Sequence, residues 1–202
     1  MDHVPPKQFY PKSLRTKLNL NLWVVPTHKR CNEDYREDEE YFYHAMSPIV
    51  GKNNPQMGKT IFADFARRTH KPQTPAMIRN ILKSYSHVSN GGIYLPPGIV
   101  QFSVDKDRTQ RVIIKIAQGL IYSDCDVYAP SENCKDIRLC SDKSDVPEVY
   151  SLSWQGAESK TVCQKVFAYR RFELENLHLL SMFFWESLMF CCAFEDPKLC
   201  RK

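Results

Sequence analysis

Hydrophobic and polar positions follow different periods in the first part of the chain. Residues 18–25, "LNLNLWVV", alternate with a period of two, which predicts a strand. The opening "DHV" (2–4) is a shorter strand candidate, and a basic loop connects the two. Over 29–46 apolar residues recur at helical spacing, and acids concentrate in the first turns, where they suit the helix dipole. Residues 1–46 are therefore predicted to form strand, loop, strand and helix.

The later segments predict helices first and strands last. Residues 47–58 contain two prolines and two glycines, which favours a linker. Helical spacing predicts helices over 59–68, 74–88 and 107–124, whereas 125–147 is polar and typical of a loop. Aromatic and β-branched residues predict strands in 149–154, 164–174 and 177–194, the last as two buried strands with a turn near Glu186 and Ser187. The expected fold class is α+β: a short ββα module (1–46), a linker (47–58), and an α+β domain of unknown role (59–202) that ends in an antiparallel sheet.

Composition places the chain among ordinary globular proteins. Its 202 residues are 43% hydrophobic and 25% charged, which argues against general disorder. The start is polar and lacks the apolar segment of a signal peptide. His178 and Glu186 interrupt the most apolar stretch, 177–194, so we expect no membrane span. Without a secretory signal, the eight cysteines are expected to be reduced thiols of a cytoplasmic protein that has no membrane partner.

Charge is distributed unevenly over the first forty residues. Residues 1–30 carry six bases and one acid, a net charge of +5, and "EDYREDEE" (33–40) carries six acids and one base, a net charge of −5. Two interpretations are open. The basic loop and the acidic helix could face one another at a phosphate and metal site, or both could be solvated surfaces.

A spaced set of polar residues follows the predicted strand, strand and helix. Asp2 and His3 lie on the first strand, Asn21 and Leu22 on the second, and "HKRCN" (28–32) at the start of the helix. This order and spacing resemble the HNH family of nucleases, also called His-Me finger or ββα-metal nucleases. The segments "DHVPPK", "DEEYF" and "VIIKIAQGLIY" are similar to bacterial HNH-type proteins in which a longer α+β region with aromatic strands follows the nuclease module.

The resemblance implies a role for each of these residues. His3 would be the general base, Asn21 would orient it, and Asp2 and Asn32 would ligate one Mg²⁺ or Mn²⁺ ion. DNA would be the substrate, with backbone contacts from four basic residues, namely Lys7, Lys12, Arg15 and Lys17. Each residue also has a simpler interpretation: a hydrogen-bonded Asp-His pair, a strand-edge residue at Asn21, or a helix N-cap at Asn32.

Relatives in this family often hold a structural zinc between two Cys-x-x-Cys knuckles. Here His28 and Cys31 stand in place of the second knuckle, and the first would fall before Met1. Both side chains are competent zinc ligands, but two ligands do not close a tetrahedral site. We therefore expect no structural zinc in this chain, and we expect that it is truncated before the first knuckle.

The resulting hypothesis is an HNH-type endonuclease that hydrolyses phosphodiester bonds of DNA. One alternative is a nuclease-derived protein that binds nucleic acid without cutting it. Another is a protein-interaction module that uses the C-terminal aromatic sheet. The aromatic residues of that sheet are predicted to belong to the core rather than to stack on bases; they are Trp154, Tyr169, Phe172, Phe183, Phe184 and Trp185.

Overall fold

The computed structural model describes residues 1–70, 72, 74–97, 99–140, 145–174 and 176–195, and for residues 152 and 153 the backbone alone. Residues 196–202, the end of the predicted second domain, lie outside the described residues, and Cys200 lies among them. The described chain mixes helices with a five-stranded antiparallel sheet, so the α+β class is confirmed.

The predicted order of strand, strand and helix is found at the start of the chain. Strands β1 (Asp2–His3) and β2 (Val24–Val25) pair antiparallel, with Asp2 opposite Val25 and His3 opposite Val24. Helix α2 (Lys29–Asn53) follows. The first strand is connected to the second through a 3₁₀ helix (Lys7–Phe9) and helix α1 (Lys12–Leu18).

The predicted strand over 18–25 is wrong except at its last two residues. Leu18 ends α1, and Asn19 follows with a left-handed backbone (φ 46°) that an extended strand does not accommodate. Leu20 and Leu22 are half-buried against the main core without forming a strand. An alternating pattern can therefore arise in a loop whose apolar side chains pack on a core without strand pairing.

Residues 47–58, the predicted linker, are helical in both halves. Helix α2 continues to Asn53, and α3 (Pro55–Arg68) begins with Pro55 in its first turn, where the missing N–H needs no partner. Gly58 allows the helices to pack closely, because a Cβ at this position would lie 2.5 Å from the Cα of Gly51.

The remaining elements form a small hairpin, a long helix and the sheet. They are α4 (Thr74–Lys83), β3 (Tyr85–Ser86), β4 (Gln101–Phe102), α5 (Lys106–Cys125), a 3₁₀ helix (Ser131–Asn133), β5 (Cys134–Cys140), α6 (Glu148–Gly156), β6 (Lys160–Cys163), β7 (Phe167–Leu174), β8 (Leu177–Phe184) and β9 (Leu188–Glu195). Strands β3 and β4 pair with each other, and the five-stranded sheet has the order β5-β9-β8-β7-β6.

Two predictions in the second half are wrong. The expected loop over 125–147 contains β5, an edge strand of the sheet whose residues are mostly half-buried or exposed, which accounts for its polar sequence. The expected strand over 149–154 lies in helix α6, where Tyr150 and Trp154, four residues apart, both pack on the sheet. A short apolar run does not distinguish helix from strand, so the partner surface decides.

The predicted hairpin over 177–194 is confirmed. Strands β8 and β9 flank a turn at residues 185–187, and alternate residues of β9 enter opposite layers. Phe190, Cys192 and Phe194 face the main core, whereas the residues between them face a smaller cluster beneath α6. Burial on both faces explains why the segment is continuously apolar. No helix of the described chain is long and apolar enough to cross a membrane.

The main core joins the two predicted domains. Phe9 and Phe42, from the first 46 residues, pack against Phe184 and Trp185 of the last hairpin, with ring centroids 5.5 to 6.2 Å apart. The apolar face of α5 belongs to the same cluster. The strand, strand and helix at the chain start therefore rest on the helix and sheet that follow them.

Candidate functional site

A pocket of about 530 Å³ lies between β1, the 3₁₀ helix at Lys7–Phe9 and the first turns of α2. Asp2, His3 and Asn32, the predicted metal ligands and general base, all line it. The other lining residues are mostly charged or polar and include Lys7, Gln8, Glu33, Arg36, Glu39 and Glu40. The structure thus brings together three predicted site residues that are up to thirty positions apart in sequence.

Local structure sets the position of each predicted residue. Pairing with β2 fixes β1, and the next residue continues the ladder, with Val4 N–H donating to the Trp23 carbonyl at 3.1 Å. Asn32 lies in the first turn of α2, where its own N–H donates to the His28 carbonyl at 3.1 Å. His28, not Asn32, is the N-cap residue, so the alternative capping role of Asn32 is wrong.

Three side-chain oxygens meet at the ammonium group of Lys115 on α5. Lys115 Nζ lies 2.5 Å from Asp2 Oδ2, as an ion pair rather than an aligned hydrogen bond, and donates to Asn32 Oδ1 at 3.2 Å. It also donates to Glu39 Oε1 in a very short contact. Gln8 Nε2 donates to the second oxygen of Glu39 at 2.9 Å and orients that carboxylate.

These charges are largely withdrawn from solvent. Asp2 and Glu39 are 8% and 7% exposed. Burial raises the pKa of Glu39 above its ordinary value of 4.5, and the Lys115 ammonium limits that rise. A buried carboxylate pair of this kind needs a cation beside it, and in this structure Lys115 supplies the positive charge.

His3 is half-buried beside these oxygens. Burial lowers its pKa below the ordinary value of 6.5, and the positive charge of Lys7 lowers it further. The negative charge of Asp2 and the Trp23 carbonyl act in the opposite direction. Within the described chain, His3 Nδ1 has no hydrogen-bond partner. A neutral imidazole is the form that can accept a proton from water.

The oxygens around Lys115 fit a hard divalent cation. Asp2 Oδ2, Asn32 Oδ1 and Glu39 Oε1 converge on one point, and carboxylate and amide oxygens are the ligands that Mg²⁺ and Mn²⁺ take in proteins. Asp2 and Asn32 were predicted as ligands, and Glu39 adds a third oxygen. The fit requires that the ammonium group leave that point.

The remaining predicted site residues lie outside this cluster. Asn21 is exposed in the loop before β2 and is not among the residues that line the pocket. Of the four basic residues predicted to contact DNA, Lys7 lines the pocket and the others belong to α1, where Arg15 Nε donates to the Tyr10 carbonyl at 3.0 Å. The orienting role of Asn21 and the DNA contacts of all four basic residues stay predictions.

His28 and Cys31 line a second pocket, of about 760 Å³, which shares Asp2 with the first and is also lined by Lys115. Both are exposed. Among the described residues, a single group of His, Cys, Asp or Glu side chains meets metal-ligand spacing, namely Cys125, Glu173 and His178. The Arg171 guanidinium lies 3.1 Å from both Glu173 Oε2 and His178 Nδ1, so this group already contains a fixed positive charge.

The acidic stretch at 33–40 packs partly against a basic face of α5. Asp38 pairs with Arg108 at 2.7 Å and with Arg111 at 3.2 Å, and Glu39 pairs with Lys115 one turn further along α5. Asp38 is buried, as is Glu39. Asp38 and Glu39 are therefore not part of a fully solvated acidic surface, and their basic partners come from α5.

Sequence analysis missed two members of the cluster. Glu39 lies seven residues after Asn32, which is two turns of helix, so the two side chains share one face of α2. That spacing could have identified Glu39. Lys115 comes 83 residues after Asn32 on another helix, and no local pattern connects the two positions.

Comparison with family models, with curated proteins and with solved structures finds no match to this chain. The resemblance to the HNH family therefore stays a prediction, based on the residues and on the strand, strand and helix that carry them.

Proposed function

We propose that this chain is an HNH-type nuclease that hydrolyses phosphodiester bonds with a divalent ion and a histidine base. One observation carries the proposal: Asp2, His3 and Asn32 line a single pocket on an antiparallel strand pair followed by a helix. The resemblance names these three residues from their positions in the sequence alone. Their meeting in one pocket is therefore independent support for the proposal.

Each side chain has a chemical task under this proposal. His3, neutral because burial and Lys7 lower its pKa, accepts a proton from the attacking water. Asp2, Asn32 and Glu39 would hold Mg²⁺ or Mn²⁺, which supplies Lewis-acid stabilisation of charge on the phosphate and the leaving oxygen. Lys7 and Arg36, on the pocket wall, neutralise a bound phosphate.

We also propose that the substrate is DNA and that the protein acts in the cytoplasm. The net charge of +5 over residues 1–30 supports a nucleic acid rather than an uncharged phosphodiester. Phosphate contacts of this kind position a backbone without reading its sequence.

The test is cleavage of plasmid DNA in the presence of Mn²⁺ by wild type, His3→Ala and His87→Ala. Removal of a general base lowers the rate by roughly 100-fold or more. His87 is exposed on the β3–β4 hairpin, far along the chain from the pocket residues, so its variant should cleave at the wild-type rate. Equal rates for wild type and His3→Ala would reject the proposal.

One observation favours a second candidate, a nuclease-derived protein that binds nucleic acid without hydrolysing it. Lys115 stands where the divalent ion would be, and an ammonium that never leaves would prevent metal-assisted chemistry. Salt-dependent DNA binding without nicking at any Mn²⁺ concentration would support this candidate. That a protein partner binds the C-terminal sheet stays a prediction. Clusters of buried residues already lie on both faces of this sheet.

A further inference from the structure

The ammonium group of Lys115 occupies the centre of a cation site. Asp2 and Glu39 supply two negative charges and Asn32 a neutral oxygen, and all three reach Nζ. These residues come from β1 and from two points on α2, whereas Lys115 comes from α5. An ammonium group that binds oxygens from separate strands and helices at one point plays the structural part of a metal ion. It differs in having a single positive charge.

The charge balance at this point is incomplete. Two buried carboxylates face one lysine, so the cluster has a net charge of −1 before other groups are considered. Arg111, one turn earlier on α5, is committed to Asp38 at 3.2 Å. A divalent ion would neutralise both carboxylates, which Lys115 alone does not.

We propose that Asp2, Asn32 and Glu39 form one cation site whose resident cation is the Lys115 ammonium, and that Lys115 and a divalent ion exclude one another there. The inference rests on the proposed function in taking these oxygens as the metal ligands. It gives Lys115 the role of an internal competitor for these three oxygens.

Distance and charge both require this exclusion. A Mg²⁺ ion binds oxygens at about 2.0–2.1 Å. Nζ already lies 2.5 Å from Asp2 Oδ2 and within contact of Glu39 Oε1, so an ion at that distance from the same oxygens would overlap the amine. Two cations at this separation also repel each other strongly in a buried site.

The structure provides space into which the lysine can withdraw. Lys115 lines the second pocket, of about 760 Å³, which Asp2 shares with the first pocket. Asp34 and Tyr35 line the same pocket, and the Tyr35 ring already lies 5.1 Å from Nζ. A rotation of the side chain toward this pocket would expose the ammonium to a carboxylate and an aromatic face, both of which stabilise a cation.

The experiment measures Mn²⁺ affinity by electron paramagnetic resonance and by titration calorimetry, without nucleic acid, for wild type, Lys115→Met and Arg111→Met. Loss of the internal cation should tighten Mn²⁺ binding by about tenfold or more in Lys115→Met. Arg111→Met removes a positive charge from the same helix but not from the oxygen cluster, and should change the affinity by less than about twofold. Glu39→Gln in the Lys115→Met background should abolish the gain.

Equal Mn²⁺ affinity for wild type and Lys115→Met would overturn the inference, as would an equal gain in Arg111→Met. If Lys115→Met is unfolded without metal because two buried carboxylates lack a cation, Mn²⁺ should restore its helical circular dichroism. Failure of Mn²⁺ to do so also counts against it.

The cleavage assay separates this inference from the proposed function. A Lys115→Met protein that binds Mn²⁺ tightly but, like wild type, never nicks DNA would reject nuclease activity and retain the cation site.

Discussion

Trp185 Nε1 donates a hydrogen bond to the carbonyl oxygen of Phe9 at 2.9 Å, and so connects the last hairpin of the sheet to the loop beside the candidate site. The indole is 1% exposed, and its ring centroid lies 5.5 Å from that of Phe9. Phe9 ends the 3₁₀ helix that carries Lys7 and Gln8, two residues of the pocket wall. The turn between β8 and β9 therefore helps to hold this wall of the pocket in place.

Trp185→Phe should destabilise the fold and loosen this loop. It removes a buried donor and leaves the Phe9 carbonyl without a partner, so the free energy of unfolding should fall by about 2 kcal/mol in urea denaturation. Trp154→Phe is the control, because the half-buried Trp154 makes no Nε1 hydrogen bond within the described residues. A loss no larger for Trp185→Phe than for Trp154→Phe would show that this bond contributes little.

Local patterns predicted the elements whose partners are close in sequence. The hairpin of β8 and β9 and the helix α5 follow from their own residues, because both are long and strongly patterned. The strand expected over 149–154 is instead a helix because Tyr150 and Trp154 meet the sheet only at helical spacing, and the sheet is formed by residues far along the chain.

The candidate site could likewise be predicted only in part. Asp2, His3 and Asn32 could be proposed because a strand pair and a following helix form a local unit. Lys115 could not, since its place at Asp2 depends on how α5 packs across α2, a tertiary contact that no sequence spacing encodes. Local sequence patterns therefore do not identify Lys115, the cation at the centre of the oxygen cluster.

Gly119→Ala should destabilise the protein although it lies in a helix. A Cβ at Gly119 would lie 2.5 Å from Val4 Cγ2, so it would push on the residue next to His3. The overpacking should cost about 1–3 kcal/mol in the free energy of unfolding, which exceeds the helix-propensity gain of about 1 kcal/mol. In a double-mutant cycle, Val4→Ala should remove most of that cost.

Gly51→Ala provides the matched control for this prediction. Its Cβ would meet nothing within 4 Å, so the same substitution in α2 should be neutral or stabilise by up to about 1 kcal/mol. A Gly119→Ala protein as stable as Gly51→Ala would contradict the close approach of α5 to the chain start.

Asp64→Asn should destabilise the fold at neutral pH, and by less in acid. Burial raises the pKa of Asp64, but hydrogen bonds and charges from Arg67 and Arg68 outweigh it, so its pKa lies below the ordinary 3.8. The ionised carboxylate therefore stabilises the protein above pH 4, and this contribution is lost as the pH falls through the folded-state pKa. Arg68 is 4% exposed and would lose its counter-charge, which costs about 3 kcal/mol at pH 7.

Urea denaturation of wild type and Asp64→Asn at pH 7 and pH 3 measures this difference, with Asp107→Asn as an exposed control. The difference between wild type and Asp64→Asn should narrow at pH 3, because wild type has begun to lose the same interaction. A difference that is constant between the two pH values would assign the effect to packing rather than to charge.

Lys7 and Arg36 should contribute to nucleic-acid affinity more than Lys17 does. Both line the pocket that holds Asp2 and His3, whereas Lys17 is exposed on α1 and does not line it. If DNA binds at this pocket, the double variant Lys7→Gln/Arg36→Gln should weaken binding and reduce the slope of log K against log salt by about 2, or about one per lost phosphate contact. Fluorescence anisotropy with labelled DNA at several salt concentrations measures both quantities. A larger loss of DNA affinity in Lys17→Gln would show that the phosphate contacts lie on α1. Equal slopes of log K against log salt for all proteins would exclude the pocket as the binding surface.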